Sequence, residues 1–303
     1  MDGMMTTTLG EPGERLTIAL ADGVMSGLRW GPERMPPDLL FLHANGFNAA
    51  TYGPLLAPLA ADRSIIALDM RGHGLSELPA DPARMTNWDA YADDLVAVLD
   101  RIVPEGARPP VLAGHSMGSV AALLTAVRRP ARVRSLLLLD PVMMHPWFWL
   151  FARTPWGAAR MRRFDLAVGA AKRRAVFPSK AEAVATYRTR KTFASWQPGF
   201  LEGYVEGGFV EDPDGVRLAC APAWEAANFA TQTQNPWGAL ARVRVPVTVL
   251  AGSNRSTVYG GAARIARVAP HARVETLPDT THFFPMERPD RVRQVLTETL
   301  AQS

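Results

Sequence analysis

The chain has 303 residues, of which 48% are hydrophobic and 20% are charged. This length allows one large domain or a domain that carries an insertion, and the composition excludes a disordered chain. No apolar run approaches the ~18 residues that a membrane span needs, and the N-terminal MDGMMTTTLGEPGERL lacks the apolar stretch of a signal peptide. We therefore expect a cytoplasmic protein with no membrane span.

The net charge is +4 and the sequence pI is about 9.6. Arginine outnumbers lysine by 30 to 3, which suggests codon composition more than a binding patch. Residues 153–191 nevertheless hold eleven basic and two acidic side chains, which we interpret as solvated helix faces, with steering of anionic substrates or surfaces as the alternative. Because no aromatic residues are interleaved with the basic ones, we expect no nucleic-acid partner.

Short apolar runs alternate along the chain with longer amphipathic stretches, which predicts helices on both faces of a mostly parallel, eight-stranded sheet. The clearest helix spans 86–102, where apolar residues recur at spacings of three and four until Pro104. The strand candidates are 16–20, 24–30, 38–43, 64–69, 110–114, 133–140, 245–251 and 272–277.

The alternation stops between 141 and 235, where Trp, Arg, Gly and Pro are frequent, and resumes after it. An insertion between two strands of one sheet is the simplest explanation. We therefore predict a core domain formed by 1–140 and 236–303, with a helical cap at 141–235. Such a cap would lie over the carboxyl ends of the strands, where open α/β sheets bind ligands.

A G-x-S-x-G pattern at 114–118 follows an apolar run and precedes a good helix. A strand–turn–helix of this kind is what a nucleophile elbow requires, since small residues on both sides let the chain turn sharply and project the serine hydroxyl. The pattern makes Ser116 the candidate nucleophile. An ordinary glycine-rich turn is the alternative.

Four segments of the chain resemble the α/β-hydrolase superfamily, in its capped esterase, lipase and perhydrolase-like branch. They occur in the family's order, and only the insertion is left without a counterpart. The segments are LFLHANGF at 40–47, DMRGHGLS at 69–76, GHSMG at 114–118 and LPDTTHFFPMERP at 277–289.

The resemblance implies that His282, which follows the last predicted strand, is the base that activates Ser116. It also implies an oxyanion hole formed by the backbone N–H groups of Met117 and Asn45, although Asn45 could be a simple turn residue. The chain departs from the family at Thr281, where glycine is frequent. Among the other histidines, the family loops make 43, 73 and 115 structural, whereas 145 lies in the insertion and 271 in a surface loop.

The acid of the triad is not at its most frequent place. The loop at 252–258 has Arg255 at the expected position and no carboxylate. Some members place the acid after the preceding strand instead, so we assign it to Asp140, with a strand-end cap as the alternative role. Asp279 is a poorer choice because it shares a loop with His282.

The resemblance implies a serine hydrolase that cleaves an ester, thioester or lactone of a small acyl substrate through an acyl-enzyme. Hydrolysis of a carbon–carbon bond and perhydrolysis stay open, because they use the same triad. A ligand-binding protein with this fold and no chemistry is the rival, favoured by Arg255 at the usual acid position.

We expect no cofactor and no metal, since the histidines lack metal-binding spacing, while the substrate and the oligomeric state are unreadable from the sequence. Cys220, the single cysteine, is interpreted as a core or pocket residue.

Overall fold

The computed structural model describes residues 13–302. Most of the N-terminal segment considered above as a signal peptide lies outside these residues. In the described part of the chain, no helix is both long enough and apolar enough to cross a membrane. The strands are β1 (Glu14–Leu20), β2 (Gly23–Trp30), β3 (Leu39–Leu42), β4 (Ile65–Leu68), β5 (Val111–His115), β6 (Leu136–Leu139), β7 (Val176–Phe177), β8 (Phe209–Asp212), β9 (Gly215–Leu218), β10 (Val247–Gly252) and β11 (Arg273–Leu277).

Eight of these strands form one sheet in the order β1-β2-β4-β3-β5-β6-β10-β11. β1 pairs with β2 and β2 with β4 in antiparallel fashion, whereas every other pairing is parallel. All eight predicted strands are present, so the prediction of a mostly parallel eight-stranded sheet is confirmed. Since the parallel strands end at one edge, the loops after β3, β5, β6, β10 and β11 meet there.

Strands β3, β4 and β6 are apolar at every position because both faces of the sheet are covered. In β6, the side chains of Leu136 and Leu138 join the core on one face, and those of Leu137 and Leu139 join the core on the other. All four are fully buried. The run of leucines therefore fills two hydrophobic layers at once.

Helices pack on both faces of the sheet, as predicted. The helix predicted at 86–102 is confirmed and begins slightly later, at Asp89. The helices are α1 (Gly53–Leu56), α2 (Asp89–Ile102), α3 (Met117–Arg128), α4 (Phe148–Ala152), α5 (Pro155–Met161), α6 (Asp165–Ala171), α7 (Lys180–Arg188), α8 (Phe200–Gly208), α9 (Pro222–Ala230), α10 (Pro236–Arg242), α11 (Gly261–Val268), α12 (Phe284–Glu287) and α13 (Pro289–Ala301).

The segment 141–235 connects β6 to β10 and contains α4 to α9. It also contains a small antiparallel sheet in the order β7-β9-β8, which the sequence did not predict. Its strands are short and turn tightly at Gly215, whose φ of 124° suits glycine. The role of 141–235 as a cap stays a prediction.

Candidate active site

The turn between β5 and α3 holds Ser116 in a conformation that side chains rarely adopt, with φ 57° and ψ −115°. A Cβ atom at Gly114 would lie 2.5 Å from the carbonyl carbon of Gly118, and one at Gly118 would lie 2.3 Å from the oxygen of Leu42. Both glycines are therefore required by close backbone contacts, and the strained turn has the geometry of a nucleophile elbow. Ser116 is 7% exposed and lines a large cavity.

The His282 side chain, in the loop after β11, lines the same cavity as Ser116. Its Nδ1 atom lies 2.6 Å from Oδ2 of Asp140, which directly follows β6. A carboxylate there accepts the proton of Nδ1 and so leaves Nε2 as the basic nitrogen. Within the described residues, no hydrogen bond joins the Ser116 hydroxyl to His282, as is frequent in such sites before a substrate binds.

Asp140 is fully buried and its carboxylate is fully hydrogen-bonded. Oδ1 accepts from the Gly252 N–H at 3.0 Å and from the Ser256 hydroxyl at 2.7 Å. Oδ2 accepts from the Thr257 N–H at 2.9 Å and from His282, whereas the Thr257 hydroxyl lies closer to the backbone oxygen of Asp140, at 2.9 Å, than to Oδ2, at 3.2 Å. Burial opposes ionisation, but the hydrogen bonds from His282, Thr257 and Ser256 outweigh it and hold the pKa of Asp140 below its usual value.

The loop at 252–258 contains no carboxylate. It supplies hydrogen-bond donors to the carboxylate of Asp140, which follows the neighbouring strand. Arg255 is exposed and has a φ of 54°, while the two residues after it bind Asp140. Asp279 is exposed and has no hydrogen bond to His282 within the described residues. The sequence analysis missed Ser256 and Thr257, although two adjacent hydroxyl residues in that loop were the available signal.

His115, immediately before Ser116, is hydrogen-bonded to the loop that carries His282. Its Nε2 lies 2.8 Å from the backbone oxygen of His282, and its Nδ1 lies 2.7 Å from the Tyr52 hydroxyl. Because a carbonyl oxygen only accepts, Nε2 carries the proton and Tyr52 donates to Nδ1. The Tyr52 hydroxyl accepts in turn from the Ala44 N–H. The sequence analysis gave His115 a structural role without finding this connection.

The two expected oxyanion donors belong to two different segments, the start of α3 and the loop after β3. Met117 is the first residue of α3, so its N–H has no acceptor within the helix. The N–H of Asn45, in the loop after β3, has no acceptor among the described residues. Asn45 and Met117 both line the cavity that contains Ser116. The arrangement is compatible with a hole for a developing negative charge.

The side chain of Asn45 is fixed by α9, which belongs to the 141–235 segment. Its Nδ2 donates to the backbone oxygen of Glu225 at 3.0 Å, and its Oδ1 accepts from Nδ2 of Asn228 at 3.0 Å. Asn228 is fully buried and accepts from the Tyr91 hydroxyl at 2.8 Å. The predicted cap is thereby hydrogen-bonded to the loop that carries one of the two expected oxyanion donors. Asn228 was missed by the sequence analysis, and no local motif marks it.

Two further histidines brace the same loops and stay neutral. His43 donates from Nδ1 to the Ala44 oxygen and accepts the Met70 N–H at Nε2. His73 accepts the Gly46 N–H at Nε2. Burial lowers the pKa of His43 to about 4 and that of His73 to about 3. Both have contacts to backbone groups, in agreement with the structural role expected for them.

The cavity has a volume of about 690 Å³ and is lined by the sheet edge and by the 141–235 segment. Its walls are mostly apolar, but Arg173, Arg190, Arg255 and Glu225 also line it. Arg173 binds Oε2 of Glu225 at 2.5 Å. Neither Arg190 nor Arg255 has an ion pair within residues 13–302. The cavity therefore has an excess of positive charge.

Arg173 is also bound by tyrosine hydroxyls. It donates to the hydroxyl of Tyr204 at 2.6 Å and to that of Tyr187 at 3.1 Å. Burial opposes the charge on Arg173, but Tyr204, Glu225 and Tyr187 raise its pKa above the usual value. Arg173 is therefore a fixed cation on the cavity wall.

The remaining candidates lie apart from this chemistry. Cys220 is buried in the core, and burial raises the pKa of its thiol well above the usual value. His145 is exposed, lines the cavity and contacts the Tyr259 ring, and His271 is exposed. Across residues 13–302, no three His, Cys, Asp or Glu side chains are grouped so that they could hold a metal ion.

Comparison with known proteins identifies relatives along most of the chain. Residues 39–295 match the Alpha/beta hydrolase family. The 2-(acetamidomethylene)succinate hydrolase of Mesorhizobium japonicum is 25% identical over 264 residues, which cover 86% of this chain and 87% of that protein. The 2-hydroxymuconate semialdehyde hydrolase of Pseudomonas putida is 28% identical over 301 residues, which cover 94% and 93% of the two chains.

Solved structures give the same result for the fold. The crystal structure of an E-2-(acetamidomethylene)succinate hydrolase superposes with a TM-score of 0.77 and 21% identity, over 95% of this chain and 99% of that chain. At this identity the likeness concerns the fold alone.

Proposed function

Because this chain belongs to the alpha/beta hydrolase family, we propose that it is a serine hydrolase with Ser116 as nucleophile, His282 as base and Asp140 as the acid. The observation that carries the proposal is the 2.6 Å contact between His282 and Asp140, on a ring that lines one cavity with Ser116. This contact fixes the ring so that Nε2 is available to take a proton. The substrate is a carboxylic ester, a thioester or a lactone.

In the first half of the reaction, His282 takes the proton of the Ser116 hydroxyl as the oxygen attacks the substrate carbonyl. The negative charge that develops on the carbonyl oxygen is stabilised by the N–H groups of Asn45 and Met117. The tetrahedral intermediate collapses when the bond to the leaving group breaks, and His282 donates its proton to that group. The product is an acyl-enzyme on Ser116.

In the second half, a water molecule gives a proton to His282 and attacks the acyl carbon. The bond to Ser116 then breaks, and the serine oxygen regains its proton from His282. Asp140 stays ionised throughout and stabilises the imidazolium, which its low pKa and hydrogen bonds support. No group other than these residues and water is needed to balance the reaction.

We further propose that the substrate carries a carboxylate. Three arginines and one glutamate line the cavity, and low-dielectric walls strengthen the field of the excess cations. The relative from Mesorhizobium japonicum acts, by its name, on a succinate derivative. Arg173 is already paired with Glu225. A carboxylate near Arg190 or Arg255 would therefore complement this charge, whereas the apolar walls suit the rest of the substrate.

Hydrolysis of a carbon–carbon bond is the second candidate. It is favoured by the relative from Pseudomonas putida, which matches over nearly the whole chain and is named for 2-hydroxymuconate semialdehyde. The same three side chains would serve this reaction. Assay of 2-hydroxymuconate semialdehyde itself, beside the esters below, distinguishes the two candidates.

The nucleophile is tested with a fluorophosphonate probe and with Ser116→Ala. We expect the native protein to be labelled at Ser116, and the variant to lose both labelling and ester cleavage. If the native protein is not labelled, or if the variant cleaves esters at the native rate, the enzyme proposal is wrong. The rival, a binding protein without chemistry, predicts that outcome.

The substrate charge is tested with p-nitrophenyl butyrate and mono-p-nitrophenyl succinate, which have acyl chains of equal length. We expect kcat/KM to be higher for the succinate ester. The double variant with Arg190→Gln and Arg255→Gln should reduce that preference. Added salt should reduce it as well. Equal kcat/KM values would contradict the anionic substrate and leave the serine mechanism standing. We retain a cytoplasmic location as part of this proposal.

A further inference from the structure

We propose that α4 and α5 form a docking surface for membranes that carry anionic lipid headgroups. Eight large apolar side chains are exposed among the described residues, and four of them lie between 147 and 156. Trp156 is 85% exposed and Trp147 is 70% exposed. Tryptophan at such exposure is unusual for a side chain that otherwise buries its ring. We call the four residues Trp147, Leu150, Phe151 and Trp156 the aromatic patch.

The backbone brings the members of the aromatic patch together. Trp147, Leu150 and Phe151 are spaced by three and four residues, and the Phe151 N–H donates to the Trp147 oxygen at 3.0 Å, so they share one face of α4. α5 approaches α4 so closely that a Cβ atom at Gly157 would lie 1.8 Å from the Phe151 oxygen. Trp156, next to Gly157, therefore lies on a helix that packs against α4.

The opposite side of α4 faces the interior. Phe148 is half-buried and lines the cavity that contains Ser116. The patch is consequently not an exposed wall of that cavity. It lies on the outer side of the helix, and the catalytic proposal gives it no role.

The segment that carries the aromatic patch is rich in unpaired arginine. Residues 142–164 contain four arginines and no aspartate or glutamate. These arginines are exposed, and none pairs with a carboxylate in the described part of the chain. The four are Arg153, Arg160, Arg162 and Arg163.

Charge complementarity selects the occupant. A symmetric dimer through this patch would place the arginines of one copy against those of the other, with no carboxylate between them. An anionic lipid surface instead attracts each exposed arginine, and indole rings are favoured at the level of the headgroups. A surface that combines aromatic side chains with arginine is typical of segments that lie on a membrane.

The test is co-sedimentation of the full chain with phosphatidylcholine vesicles, with and without about one third phosphatidylglycerol. We expect binding only to the anionic vesicles, and weaker binding at high salt. The variant with Arg160→Gln, Arg162→Gln and Arg163→Gln should lower the partition coefficient about 100-fold, since each basic residue contributes about 1 kcal/mol. The variant with Trp147→Ser and Trp156→Ser should lower it at least about tenfold.

Matched control variants change the same residue types elsewhere on the surface. Arg84→Gln, Arg101→Gln and Arg108→Gln remove the same charge, and Met35→Ser with Leu75→Ser removes exposed apolar side chains. We expect the controls to bind like the native protein, and every variant to cleave a soluble p-nitrophenyl ester at the native rate. That assay shows that each variant is folded.

Three results would overturn the proposal. The native protein could fail to bind anionic vesicles, or the control variants could lose binding as much as the patch variants. Sedimentation could also reveal a dimer that the tryptophan variant dissociates, which would assign the patch to a second copy. Each result is independent of the Ser116 reaction, because ester cleavage is measured separately.

Discussion

Thr257 donates two hydrogen bonds to Asp140, one from its hydroxyl to the backbone oxygen at 2.9 Å and one from its backbone N–H to Oδ2, also at 2.9 Å. Oδ2 lies 2.6 Å from the ring of His282. The loop after β10 therefore orients the carboxylate of Asp140, which follows the neighbouring strand, and contains no carboxylate itself. The Ser256 hydroxyl and the Thr257 N–H of this loop hold the Asp140 carboxylate beside His282.

Removal of the Ser256 hydroxyl should weaken the support of Asp140. Ser256→Ala removes a donor to Oδ1 and leaves the carboxylate charge of Asp140 less well compensated. We expect kcat to fall at least about tenfold, since a hydrogen bond to a charged group contributes about 1.5–3 kcal/mol. Steady-state kinetics with one ester check this, with Ser253→Ala as the matched control, because that hydroxyl has no hydrogen bond to Asp140.

The effect of each substitution on kcat distinguishes the role of Asp140 from that of Asp279. Asp140→Asn should lower kcat by about 10³–10⁴-fold, because the amide no longer selects the correct tautomer of His282. Asp279→Asn should leave kcat unchanged, since that side chain is exposed. The residual rate of the first variant should exceed that of Ser116→Ala. A comparable loss in both aspartate variants, measured with one ester, would refute the assignment of the acid.

The sheet was predictable from the sequence because its physical cause is local. A strand buried on both faces must be apolar at each position, as in β6, and the elbow needs small residues where backbones meet at Gly114 and Gly118. Asp140 was predictable only with the resemblance, since no local pattern distinguishes it from a residue that ends a strand. The choice between it and Asp279 depended on which carboxylate lies within hydrogen-bond distance of the His282 ring. In the described residues that carboxylate belongs to Asp140.

The supporting residues were not predictable, because their partners are distant in sequence. Asn228 binds a residue 183 positions away, and His115 binds the oxygen of a residue 167 positions away. A buried amide in α9 has no signature of its own in one sequence. The first contact follows from the packing of the 141–235 segment on the sheet edge, and the second from the approach of the loop after β11 to the end of β5. Single-sequence periodicity determines neither arrangement.

The contact between Asn228 and Asn45 should affect the transition state. Asn228→Ala removes the donor that fixes the Asn45 side chain, so the backbone N–H beside it is less well oriented. We expect kcat to fall about tenfold with KM little changed, a smaller effect than the ~10²–10³-fold loss of a direct oxyanion donor. Tyr91→Phe, which loses only the hydroxyl bound to Asn228, should give an intermediate value.

A trifluoromethyl ketone distinguishes this positioning role from a purely structural one. Its inhibition constant should rise in proportion to the loss of kcat/KM in the Asn228→Ala variant, because it forms an oxyanion in the site. If thermal stability falls while kcat and inhibitor affinity stay native, Asn228 only packs the helix.

The stability of the fold should fall steeply below pH 6.5. Burial lowers the pKa values of His43 to about 4, His73 to about 3 and His115 to about 3, from 6.5. Between these limits the unfolded chain binds protons that the folded chain does not, so stability present above pH 6.5 is lost as the pH falls. Each histidine should lower the free energy of unfolding by about 1.4 kcal/mol between pH 7.5 and pH 5.5, or about 4 kcal/mol for the three together.

Urea unfolding at the two pH values measures this loss of stability. His43→Gln should remove about one third of the loss, whatever the stability of the variant at pH 7.5. Equal free energies of unfolding at both pH values would mean that these rings are not held neutral.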